Sequence, residues 1–210
     1  MAQPPHTMQL AGRADWALMI AIHDALRRDL DQLLHATASH ASARARWGAF
    51  RSQLRFHLTA EHGAMWPRVK AKLAGDPHGQ ALLDAMDDEY RLLGALQVMI
   101  DDAFAMDAEP RRLRQLLVGL RTRLASHLAR EEAEVLPLIS GFLFPGELGG
   151  IAAAIRGGRS TRCAGTTVPW ALAGAVPDIR ERILSQLPAP ARVLYRTVWL
   201  LRYARTIPSL

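Results

Sequence analysis

Two stretches of this chain repeat the same reactive residues at the same spacing. HLTAEHGAMWP runs from His57 to Pro67, and HLAREEAEVLP runs from His127 to Pro137, seventy residues later. Each has a His followed by Leu, a Glu four residues after the His, and a Pro ten residues after it. A step of four on an α-helix turns through about 400° and climbs about 6 Å, so His57 and Glu61 share one face, as do His127 and Glu131. Each imidazole–carboxylate pair is therefore placed to grip a metal ion from a single helix.

The elements that position these pairs follow from the apolar period. A first helix starting near Asp15 carries Trp16, Met19, Ile20, Leu26, Leu30, Leu33 and Leu34, with His23 inside the stripe. After a turn at Ser39–Ser42, a second helix carries Trp47, Phe50, Leu54, Leu58, Met65, Val69 and Leu73, and Pro67 is expected to kink it. Gly75 is a natural stop, and Asp76-Pro77 reads as the cap and first position of a third helix. That helix carries Leu82, Leu83, Met86, Leu93, Leu96, Ile100 and Phe104, with Tyr90 on the stripe and Glu89 at its edge. The break Asp107–Pro110 precedes a fourth, with Leu113, Leu117, Leu120, Leu124, Leu128, Val135 and Leu138. Four such helices joined by short turns predict an all-α, up-down-up-down four-helix bundle.

His23, His57, Glu61, His127 and Glu131 thus stand where the period calls for Leu. Burying an uncompensated carboxylate costs several kcal/mol, and doing so twice would threaten a total stability of about 5–15 kcal/mol. A divalent or trivalent cation removes that cost, and carboxylates bridging two cations offset each other's repulsion. His62 and Glu132, one residue past each Glu, turn about 100° away and are expected either on the helix surface or just behind the ligands, while His6, His35, His40 and His78 are expected on the surface. The sequence shows no Gly-rich phosphate loop, Ser/His/Asp pattern or Cys cluster.

Over roughly residues 12–140 these motifs resemble the hemerythrin-like family of HHE cation-binding domains. The family's repeated unit is a His on one helix and His-x-x-x-Glu on the next, present here as His23 with His57 and Glu61, then position 90 with His127 and Glu131. The resemblance implies a non-haem diiron centre: His23 and His57 on one iron, His127 on the other, and Glu61 and Glu131 bridging. Tyr90, in MDDEYRLL, departs from the pattern, standing where relatives have the fourth His. As a phenolate ligand it would favour ferric iron and colour the protein; otherwise it is a core tyrosine bonded to Glu131 or water, and the second site lacks a ligand.

A His/carboxylate set suits iron, with manganese or zinc as less favoured occupants. Family members bind dioxygen, sense oxygen or iron, or react with peroxide and nitric oxide. The first expectation here is redox chemistry with such small oxidants, including catalase-like decomposition of peroxide, with the catalytic groups unassigned. The alternative is an iron- or oxygen-sensing protein acting through its C-terminal segment.

That segment carries the charge. Residues 140–210 hold nine Arg and three acids, which accounts for the whole net charge of +6. The expected organisation is a mobile tail over residues 1–11, the bundle over 12–140, and an Arg-rich helical extension over 141–210 packed on the bundle or on a partner. The extension is read as a short helix over Glu147–Arg156, a loop through Cys163 and Pro169, a helix near 178–187 and a last one near 191–205. The last offers Val193, Leu194, Val198, Leu200 and Leu201, with Tyr195 and Trp199, as a homodimer face. Nucleic-acid binding is the less favoured reading of its arginines. A single cysteine, no signal-like leader and no long apolar run lead to the expectation of a cytoplasmic protein with no membrane partner.

Overall fold

A computed structural model describes residues 16–142 and 161–206, and among them every regular element is a helix. The Asp15 cap, the helix over Glu147–Arg156 and His6 lie outside the described residues. The described residues form two compact units, one of residues 16–25 with 161–206 and the other of residues 26–142. The boundary at Ala25 falls within the unbroken helix α1 (Ala17–His35).

After a 3-10 turn at Ala36–Ala38, Ser39 caps α2 (His40–Ala60), its hydroxyl accepting from the Ser42 amide at 3.4 Å. Beyond α2 come α3 (Trp66–Lys72), α4 (Pro77–Ala105), α5 (Pro110–Arg130) and α6 (Leu136–Phe142). Asp76 caps α4 as expected, accepting from the His78 and Gly79 amides at 3.1 Å each, and Pro77 takes the first helical position, where its missing N–H costs nothing. The α4–α5 break is closed by Asp107, at φ 47°, while the Ala108 amide donates back to the Ala103 carbonyl at 2.9 Å. This six-to-one bond around a left-handed residue ties off orphaned carbonyls at a helix end, and Asp tolerates that backbone better than most residues. α4 and α5 then pack along each other, α2 meets α4, and α3 meets both α4 and α6, closing the apolar faces.

The prolines act differently from the expected kink. Between α2 and α3 lies a π turn, Glu61–Met65, and between α5 and α6 a second, Glu131–Val135. In each, the amide five residues on donates to the Glu carbonyl: Trp66 to Glu61, and Leu136 to Glu131. The wide turn ends two residues before each proline, which then sits in the first turn of the next helix, where an N–H is least needed. One extra residue per turn also shifts the inward face. Met65 and Trp66 are both buried, and so are Val135 and Leu136, followed by Ile139, while Leu138 is only half-buried. Trp66, Leu136 and Ile139 are core residues that an unbroken 3.6 period misses. Met19, Ile20 and Leu96 are also half-buried rather than buried.

The other unit contains α7 (Thr161–Leu172), α8 (Pro177–Gln186), α9 (Ala189–Leu194), a third π turn (Tyr195–Trp199) and α10 (Leu200–Thr206). The loop expected through Cys163 and Pro169 is therefore helix: burial of Val168, Trp170, Ala171 and Leu172 outweighs the hydrogen bond lost at Pro169. Tyr195 and Trp199 do not form an open dimer face, because both are buried within this unit, whereas Val193, Leu194, Val198, Leu200 and Leu201 are exposed. Trp199 lies so close to Gly165 that a Cβ there would stand 3.0 Å from its indole Nε1. Gly165→Ala is expected to destabilise this unit by about 1–3 kcal/mol, seen as a lower unfolding midpoint and altered tryptophan fluorescence.

Candidate metal centre

Repetition in the sequence becomes proximity in the structure. His23 projects from α1, His57 from the last turn of α2, His127 from the last turn of α5, and Glu61 and Glu131 each open a π turn. All five are buried, at 0 to 4% exposure. Ligating atoms of His57, Glu61 and Glu131 all lie within 4.8 Å of one another. His127 stands outside that group and Tyr90 is half-buried on α4, so the two halves of the repeat are not equivalent.

Within the site, Nδ1 of His57 lies 3.0 Å from Oε1 of Glu61, as the spacing of four requires. Burial, and then the facing Glu131 carboxylate, push the Glu61 carboxyl well above its ordinary range. Nδ1 of His127 lies 3.0 Å from Oε2 of Glu89, and its buried Nε2 meets no hydrogen-bond partner. Leu58 and Leu128, directly after the two histidines, are fully packed. Two facing carboxylates and an orphaned imidazole nitrogen in a dry interior are a donor set that fits a cation and is strained without one.

A model of the hemerythrin HHE cation-binding domain matches residues 15–139. The chain belongs to the hemerythrin family. It thus carries a cation-binding domain, and the matched span agrees with the 12–140 read from the motifs. No curated protein and no solved structure matches the chain. The matched span ends at residue 139, so the +6 charge of residues 140–210 lies outside it.

Tyr90 stacks on His62, ring centroids 4.0 Å apart and planes 28° from parallel. Of the two places its 100° offset allowed, His62 is not on the surface: its side chain is 11% exposed, Nδ1 contacts Oδ1 of Asp87 at 2.8 Å, and Nε2 accepts from the Trp66 indole at 3.3 Å. The π turn that buries Trp66 also draws in His62. Burial lowers the His62 pKa, and the Asp87 contact only partly offsets this, so the ring is neutral at neutral pH. Glu132, its counterpart in the second repeat, pairs with Arg27 at 2.8 Å. Among the outlying histidines, His35 bonds the Asp31 carbonyl and is exposed, whereas His40 packs edge-on against Phe104. Asp87 and Trp66 carried no signal in the repeat, and Glu89 gave only its place at the edge of the α4 stripe.

Proposed function

We propose that the hemerythrin domain holds two iron ions, with His23 and His57 on one, His127 on the other, and Glu61 and Glu131 between them, and that it reacts with peroxide or a related small oxidant. The observation that carries this reading is the burial of two facing carboxylates among imidazoles, because the charge they place in a dry core needs a multivalent cation. Two irons supply the exchange of two electrons with an oxygen species. The protein's own part is to hold the carboxylates where both ions are reached, to exclude bulk water with packed leucines, and to keep neutral His62 and the Tyr90 ring against the less crowded half. Manganese and zinc satisfy the same donors less selectively.

Tyr90 is the sixth residue of the proposed set, its phenol taking the place of the family's fourth imidazole. Tyr90→Phe is expected to abolish visible charge-transfer absorption of the ferric protein while changing the unfolding midpoint little, since the ring still stacks on His62. Colour and iron count unchanged in the variant would remove Tyr90 from the ligands. Iron per chain, read with the spectrum, tests the centre itself, with two equivalents expected. Peroxide loss no faster than with free iron rules out the redox activity, and a stable dioxygen adduct of the ferrous protein would make the domain a carrier instead.

A further inference from the structure

The two repeat histidines are braced differently. Nδ1 of His57 meets Glu61, four residues along its own chain and itself in the proposed ligand set. Nδ1 of His127 instead meets Glu89, on α4, at 3.0 Å. Glu89 lies outside the proposed ligands, and its second oxygen, Oε1, is held by Nη1 of Arg130 at 3.3 Å. His127 is fully buried, and Nε2 is left without a partner. At 22% exposure, the Glu89 side chain keeps part of its hydration while it does this.

A carboxylate on one nitrogen of an imidazole fixes the proton there, orients the ring, and makes the opposite nitrogen a better donor to a metal. We infer that Glu89 is the positioning residue of the second cation: it holds His127 as the Nδ1–H tautomer with Nε2 presented to the ion. This rests on the two-cation reading above. It also gives α4 a part in the second half through residue 89, whatever residue 90 does: in the same helical turn Glu89 meets His127 and Tyr90 covers His62. With one imidazole to hold the second ion, that half depends on this orientation more than the half containing His23 and His57.

The test uses the full chain and ferrous iron added anaerobically. Wild type is expected to take up two equivalents; in Glu89→Ala the weaker one should lose about 10- to 100-fold in affinity, with the tighter one within about twofold. Glu89→Gln, which keeps an acceptor oxygen, should fall between. Nitrogen-15 NMR of the metal-free protein reads the brace without any metal: His127 should be the Nδ1–H tautomer in wild type and lose that preference in Glu89→Ala. Equal weakening of both equivalents, or an unaltered tautomer and affinity in Glu89→Ala, overturns the inference while leaving the two-cation reading in place. Failure of wild type to take up a second equivalent overturns both.

Discussion

Glu61→Gln is expected to cost the protein its metal and, in the metal-free state, to make it more stable at neutral pH. The facing carboxylates explain both effects. In wild type the native state holds the Glu61 proton more tightly than the unfolded chain, where the carboxyl titrates near 4.5. Between that value and its raised native value the folded protein binds more protons than the unfolded one, so stability falls as the pH rises through this window. Below the ordinary carboxylate range both states are protonated and the penalty disappears. Glutamine fixes the neutral form. Metal-free Glu61→Gln should therefore exceed wild type by about 1–3 kcal/mol near neutral pH, with the gain shrinking toward pH 4. Denaturant melts at the two pH values check this, and an equal gain at both would show that the pair carries no penalty. With ferrous iron present the order should reverse: a cation at a hundredfold its dissociation constant adds about 2.7 kcal/mol to wild type, and the variant gains little.

Inserting one alanine after Gly63 in the first π turn is expected to be the most destabilising single change outside the ligands. Nothing within 4 Å fills the space at Gly63, so the added residue meets no side chain there. Its effect is on register, because Glu61–Met65 already absorbs one residue more than an ordinary turn, and with a further one everything after it would rotate by about 100°. Trp66, 1% exposed, and Val69 would then leave the core together. Losing a buried tryptophan alone costs about 3–5 kcal/mol, enough to unfold a domain of ordinary stability. Circular dichroism melts and tryptophan fluorescence measure it. A midpoint close to wild type would show that the turn widens further at no cost.

The bundle was legible in the sequence because its signals were local. Leucines at helical spacing, the Asp76-Pro77 cap and the Asp107 break were each readable from a few neighbouring residues, and the paired His-x-x-x-Glu motifs, with His23 on the first stripe, marked five buried polar positions. Less legible was whatever depended on a change of helical period. A 3.6 repeat carried through Glu61–Met65 and Glu131–Val135 left His62 undecided between the surface and the row behind the ligands, chose Leu138 over Ile139, and passed over Trp66. Two prolines at matching positions marked where the period failed, without saying that a wider turn would absorb them. Glu89 was hidden for another reason: its partner, His127, is thirty-eight residues away, and a contact between helices has no spacing to read. In the C-terminal segment Pro169 outweighed a helical pattern that burial of Trp170 and Leu172 later sustained.

The two π turns also set a timescale. Each begins at a carboxylate of the site, and each ends where the next donor in line is missing, because residues 67 and 137 are prolines. A backbone held this way is expected to open locally at lower free energy than the regular turns of α2 and α5 around it. Amides of Gly63–Met65 and Ala133–Val135 should exchange with solvent well before those of Leu54–Leu58 or Leu120–Leu124. Release of a bound cation should follow that fast local opening rather than unfolding of the domain, so a chelator would strip the site within a time over which the fold stays intact.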